Sequence, residues 1–221
     1  MAILEGNLFG QLHGKIGSMY GRRQNGKTII ASMPTTNPNR TLTLAERQRR
    51  ESFAALSSLT SDFTDVINIG LRNYRNKSSL STPRNAFTHL NKNIYTFDNA
   101  GNIVLHFKEL LFSFGRLPIP EVYKIAPYEP EGHDVTVSFK DSTDEPGCSP
   151  LDIIITVAYC VDLNIHLVQR CTRVDPKLTF AQLPPVLKSH KLQFYAFVLG
   201  NDKKETSDTI YLGEILYEPY Y

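Results

Sequence analysis

Gly21-Arg22-Arg23-Gln24-Asn25-Gly26-Lys27-Thr28 is the stretch on which the reading of this chain turns, because it satisfies G-x-x-x-x-G-K-[ST] letter for letter, the pattern of loops that cradle nucleotide phosphates. The same eight residues hold Asn25-Gly26 between two half-apolar runs, the strongest short-range signal for a tight β-hairpin. The residues after Thr28 separate the two readings. A phosphate cradle needs a buried parallel strand before it and a helix opening at Lys27-Thr28, whose N-terminal amides and dipole hold the β-phosphate. Here the chain continues Ile29-Ile30-Ala31-Ser32-Met33-Pro34: β-branched residues come first, and a proline six residues after Thr28 stops any helix. No βαβ repeat comes after it. The stretch is therefore expected to be a hairpin with Asn25-Gly26 in a type I′ turn, and a nucleotide-binding enzyme working through it is the weakest of three functional readings.

The surroundings agree with strands. Gly6, Gly10, Gly14, Gly17, Gly21 and Gly26 interrupt short apolar pieces, and glycine costs a helix roughly 1 kcal/mol per residue relative to alanine. Residues 34–40, with two prolines, read as a linker. Thr43-Leu44-Ala45-Glu46 fits a capping box, so a helix should start at Thr43. Phe53, Leu56, Leu59 or Thr60, Phe63, and Val66 or Ile67 give it one apolar stripe, with Gly70 as its stop and Arg47, Arg49 and Arg50 mostly off that stripe. After a polar, basic segment from Arg72 to Leu80, Thr82-Pro83 offers an N-cap and a proline at the first helical position, and Phe87, Leu90 and Ile94 make a short amphipathic helix ending near Thr96. Asn99-Ala100-Gly101-Asn102 should turn into a strand around residues 103–107.

Beyond this the period changes to two. Leu110, Phe112 and Phe114 alternate, as do Val135, Val137 and Phe139; Ile153 to Tyr159 is a continuous β-branched run; Ile165 with Leu167, Leu192 with Phe194, Ala196 and Val198, and Ile210 with Leu212 and Ile215 complete the series. Short strands separated by Pro/Gly/Asp clusters predict an antiparallel sandwich, immunoglobulin-like in architecture only, since the Cys…Trp…Cys framework is missing. The fold class expected is α+β, mainly β: residues 1–100 form a glycine-rich basic hairpin and two-helix region, and residues 101–221 the sandwich. Gly200 to Lys204 should turn the last hairpin, and Tyr217, Tyr220 and Tyr221 should cap the sandwich.

The net charge of +2 conceals an asymmetry: residues 1–92 hold 13 Lys/Arg against 5 Asp/Glu, and residues 93–221 hold 11 against 17. A basic half before an acidic half suggests either attraction between copies or halves, or an anionic contact. Lys15, Arg22, Arg23, Lys27, Arg47, Arg49 and Arg50 form the candidate basic contact surface. Basic ribbons can follow phosphates, so nucleic acid is the second reading, although no known nucleic-acid module and no cluster of stacking aromatics matches. Cys148, Cys160 and Cys171 lack a C-x-x-C, and His13, His89, His106, His133, His166 and His190 lack helical metal spacing. Asp141, Asp144 and Glu145 read as a solvated loop, with a hard-cation site as the alternative. There is no G-x-S-x-G elbow, and neither a catalytic set nor a cofactor is expected. The N-terminus lacks the charges and apolar core of a secretory signal and no apolar run reaches about 18 residues, so cytoplasm is the default expectation, with a virion or signal-independent export reading the same.

Taken in order, Gly6-x-x-x-Gly10-x-x-x-Gly14-Lys15-Ile16-Gly17, Gly26-Lys27, Asn37-Pro38, Thr43-x-Ala45-Glu46-x-x-Arg49-Arg50-x-x-Phe53, Ser113-Phe114-Gly115-Arg116-Leu117, Tyr195-Ala196-Phe197 and Ser207-Asp208-Thr209-Ile210-Tyr211-Leu212-Gly213 resemble an uncharacterised family of Bacteroidetes proteins over residues 1–216. The family tends to carry Gln at the positions of Glu46 and Arg49, Lys at that of Ser52, and a basic residue at Ala31 or Ser32. It has no established activity, so the resemblance implies no catalytic residue. Its glycine-rich start also looks like that of phage-type structural proteins. The leading expectation is a non-enzymatic structural or interaction protein, self-assembling or held by a protein partner.

Overall fold

The structure is a computed structural model that describes residues 2–4, 14–24, 27–33, 40–74, 82–128, 134–144, 146–181 and 183–217. The chain divides into two compact units, Met1–Thr43 and Leu44–Tyr221.

The first unit is a four-stranded antiparallel sheet of β1 (Ala2–Leu4), β2 (Gly14–Ile16), β3 (Met19–Gln24) and β4 (Lys27–Ser32), ordered β1-β4-β3-β2. Gln24 pairs with Lys27, so two residues join β3 to β4. The hairpin is there, while the type I′ geometry expected of Asn25-Gly26 falls outside the described residues. Lys27–Ser32 is strand and pairs back onto β3, so the helix that a phosphate cradle requires does not open at Lys27. Ile16 pairs with Met19, and Gly17 between them has a φ of 57°, a value for which glycine carries no Cβ penalty.

The second unit starts with α1 (Leu44–Asp62), immediately after Thr43, where the capping pattern places it. The expected single helix to Gly70 is broken: α1 ends at Asp62, Phe63 takes φ −97° and ψ 24°, and α2 (Thr64–Gly70) follows. The hydroxyls explain the bend. Thr60, Ser61 and Thr64 donate to the carbonyls of Leu56, Ser57 and Thr60, a back-bonding that competes with the helical ladder. α3 (Pro83–Leu90) begins as predicted, with the Asn85 amide donating to Thr82 Oγ1 at 3.2 Å. It stops at Leu90 rather than near Thr96, because β5 (Tyr95–Phe97) and β6 (Ile103–Leu105) form a hairpin whose turn is held by Asp98 Oδ1 accepting from the Ala100 and Asn102 amides.

Seven strands make the sandwich: β7 (Val122–Tyr128), β8 (Asp134–Phe139), β9 (Ile153–Cys160), β10 (Ile165–Thr172), β11 (Lys177–Phe180), β12 (Lys191–Leu199) and β13 (Ile210–Leu216). One sheet runs β11-β8-β7 and the other β10-β9-β12-β13, all antiparallel. This is an immunoglobulin-like order, with the fourth strand on the sheet of β9, β12 and β13. The fold is thus α+β, mainly β. β7 is hidden in the sequence by Pro127, which an edge strand tolerates.

The run of Ile153–Cys160 is continuous rather than alternating because its sheet is covered on both sides. Ile154, Ala158 and Cys160, with Phe194 and Val198, face Val135, Val137 and Phe180 of the three-stranded sheet. Ile155, Val157 and Tyr159, with Tyr195 and Phe197, face Leu59, Phe63, Ile67 and Phe87 of the helices. The unit is therefore three layers, helices on sheet on sheet. A division near residue 100 falls inside the β5–β6 hairpin, and the helices belong with the sandwich rather than with the N-terminal hairpin.

Candidate interaction surfaces

The candidate basic residues split between the two units. In the first, strand alternation and register put Lys15, Tyr20, Arg22 and Lys27 on one face: Lys15 pairs with Tyr20, Gln24 with Lys27, and Tyr20, Arg22 and Gln24 alternate along β3. Arg23 occupies the alternate position. Lys15, Arg22 and Lys27 are exposed.

In the second unit, Arg47, Arg49 and Arg50 are exposed on α1. Arg49 stands on the apolar stripe rather than off it. Ala45, Gln48, Arg49, Ser52, Phe53 and Leu56, which share one helix face through i, i+3 and i+4 relations, line a groove of about 400 Å3, closed opposite by Thr88, Lys92 and Phe97. Burial of the stripe begins only at Leu56; Phe53 is 64% exposed and Leu44 70% exposed. Phe53 thus stands exposed beside Arg49 and Lys92, a combination that isolated surface residues rarely make.

Where the helices meet the sheet, polar groups are spent on structure. The ring of Phe63 contacts Phe112, Tyr159 and His166 with centroids at 4.7, 4.9 and 4.7 Å. His166 Nε2 lies 3.2 Å from Asp65 Oδ1, and Tyr159 donates to Asn164, whose amide donates to Asp62. Burial pushes the Tyr159 phenol up from 10 to about 12, with Tyr95 and Asp62 adding to it, and pushes the Cys171 thiol up from 9 to about 12. Burial also raises Tyr95, Tyr195 and Tyr211. Raised acids favour the fold while neutral, so this contribution is complete below the unfolded-state values and lost as pH rises from about 9 toward 12. The urea midpoint is expected to fall steadily over that window while phenolate absorbance develops late; a flat midpoint with early phenolate would contradict the burial.

Leu110, Phe112 and Phe114 do not form the expected strand. Their segment follows a 3-10 turn at Phe107–Glu109, and side chains take the amides that a ladder would use. Leu111 N donates to Asn91 Oδ1, Phe112 N and Ser113 N to Thr209 Oγ1 at 2.9 and 2.8 Å, and Gly115 N to Asp208 Oδ1. Thr206 Oγ1 donates in turn to the carbonyls of Phe114 and Gly70. The Ser113–Leu117 and Ser207–Gly213 stretches, far apart in sequence, therefore dock onto each other. Their residues serve assembly of the fold.

At the Ile153 end of β9, Arg173 is fully buried. Its Nε donates to Asp152 Oδ2 at 3.1 Å, Nη1 to Ser142 Oγ at 2.6 Å, and Nη2 to the Pro118 carbonyl. Asp152 also accepts the amides of Ser149 and Asn201. Five chain segments meet at this pair, and sequence reading misses it: Arg173 and Asp152 lie 21 residues apart in turn-like contexts with no motif.

The remaining candidates have local roles. His190 meets Asp162 at 3.0 Å, and His106 meets Thr96 at 2.8 Å. Asp141 Oδ1 accepts the amide and hydroxyl of Thr143, which closes its loop on itself. Gly200 to Lys204 turns as expected, with Lys203 N donating to the Gly200 carbonyl. Tyr217 is buried in the sandwich core; Tyr220, Tyr221, His13, His133 and Glu145 lie outside the described residues. No disulfide joins Cys148, Cys160 and Cys171. Among the described residues no group of three or more His, Cys, Asp or Glu could hold a metal ion, and no helix is long and apolar enough to cross a membrane.

No family model matches the chain, and no curated protein does. Among solved structures, the fn3 domain of the human collagen alpha-1(XX) chain is 11% identical, with a TM-score of 0.35, over 49% of this chain and 88% of that one. A structure described as "Myokine structure" is 8% identical, with a TM-score of 0.33, over 47% of this chain and 100% of that one. Likenesses this partial carry no argument, and the sandwich is identified by its own strand order.

Proposed function

We propose that this chain is a non-enzymatic interaction protein that self-assembles, with the first turns of α1 as the contact face and the acidic sandwich of a second copy as its occupant. The observation that carries this is the α1 groove, where the exposed Phe53 stands with Arg49 and Lys92. An exposed aromatic anchor beside an arginine is the composition of protein contact surfaces. The second copy is favoured by charge, since residues 93–221 carry 17 Asp/Glu against 11 Lys/Arg. Membership of the Bacteroidetes family is part of the same proposal, supported by the order of its sequence motifs along the chain.

Sedimentation velocity on the full chain at low salt tests it. Wild type should form concentration-dependent larger species, and Phe53→Asp, which changes an exposed residue and should leave the circular dichroism intact, should weaken them about tenfold or more. A wild type that stays monomeric at every concentration overturns the proposal. So does assembly unchanged by Phe53→Asp, or a monomer that binds only an unrelated protein.

A further inference from the structure

The helical layer leaves part of the outer face of the four-stranded sheet open. Ile153 and Ile155 of β9, Leu199 at the end of β12, and Ile69 of α2 line a groove of about 310 Å3. Its other lining residues are Asn68, Arg72 after α2, Arg170 of β10 and Lys203 of the loop between β12 and β13, all exposed. Register fixes Arg170 here, because it pairs with Ile155 and shares that residue's outward face.

Some cations of the unit have carboxylate partners. Lys140 pairs with Glu121, Lys191 with Glu214, and Arg173 with Asp152. Arg72, Arg170 and Lys203 make no ion pair among the described residues, and no Asp or Glu among those residues lines the groove. Asp202 Oδ1, adjacent in sequence, accepts the Lys204 amide. The helix end offers Arg72 little, since the Ile67 carbonyl accepts from Leu71 N and the Gly70 carbonyl from Thr206 Oγ1. Three like charges around one space repel each other, and a bound anion would relieve that repulsion.

We propose that this groove binds a small organic phosphomonoester, with the phosphate held by Arg72, Arg170 and Lys203 and the apolar body resting on the half-buried Ile69, Ile153 and Leu199. Two guanidiniums and an ammonium match the three terminal oxygens of a phosphate dianion, and the arginine fork fits phosphate geometry. A lone carboxylate offers two oxygens and one charge, leaving a cation unmatched. The volume lies at the low end of ligand pockets, roughly 300–1,000 Å3, which suits a single ring and excludes a dinucleotide.

Calorimetric titration of the full chain at low salt with phenyl phosphate, inorganic phosphate and benzoate tests this. Saturable one-to-one binding of phenyl phosphate is expected, about tenfold or more tighter than inorganic phosphate because of the apolar floor. Benzoate should bind more weakly than phenyl phosphate. Arg72→Gln and Arg170→Gln should each weaken phenyl phosphate about tenfold, with unchanged thermal melts. Absence of saturable binding at millimolar ligand, equal affinity for phenyl and inorganic phosphate, or full affinity in both Gln variants would each overturn the proposal. The site is separate from the α1 face, so phenyl phosphate binding should survive Phe53→Asp whatever becomes of self-assembly.

Discussion

Gly115→Ala is expected to lower the unfolding free energy by about 3–5 kcal/mol, a large share of the roughly 5–15 kcal/mol that holds a domain folded. A Cβ on Gly115 would sit 1.7 Å from the Thr206 carbonyl oxygen and 2.5 Å from its carbon. Backbone is in the way, so no rotamer change can relieve the clash, and the two segments must part. Parting them breaks the bonds from Gly115 N to Asp208, from Thr206 Oγ1 to the Phe114 carbonyl and from Leu117 N to the Thr206 carbonyl, each worth about 1 kcal/mol. Gly147→Ala is the control: its φ is 82° but nothing lies within 4 Å of the added carbon, so the cost should be only about 1–2 kcal/mol of backbone strain. Urea unfolding of both variants measures the difference. Equal losses would mean that the docking of residues 113–117 on 206–209 is not a close contact.

Asp152→Ala is expected to cost about 3–5 kcal/mol, because it strands a fully buried guanidinium. The amides of Ser149 and Asn201 lose their acceptor as well. Combining Asp152→Ala with Arg173→Met should cost clearly less than the sum of the single changes, since the second removes the charge that the first leaves unpaired. Additive losses, or a loss below about 1 kcal/mol for Asp152→Ala, would show that solvent reaches Arg173.

Local chemistry makes part of this fold legible. Thr82-Pro83 announces α3 because a cap and a proline act within one turn, and the Ile153–Cys160 run announces a buried strand. The residues past Thr28 turn a phosphate-loop pattern into a hairpin, since β-branched residues open poorly the helix such a loop needs. What stays hidden depends on partners distant in sequence. Phe112 and Phe114 alternate like a strand, yet the amides of Phe112 and Gly115 belong to Thr209 and Asp208. Gly115 looks like a turn glycine but is required by a carbonyl 91 positions further on. The helices read as companions of the N-terminal hairpin, although the unbroken apolar character of β9 already implies a layer on each side of its sheet. Arg49 stands out in the sequence by its charge, whereas its place on the stripe of Phe53 and Leu56 is what sets it in a groove.

Self-association of a basic helical face with an acidic sandwich can be read from light scattering of the full chain at two ionic strengths. A mass above that of the monomer is expected at low salt, falling to the monomer value at high salt, where the Debye length shrinks to about 3 Å at 1 M. A monomer mass in both buffers at every concentration would contradict it.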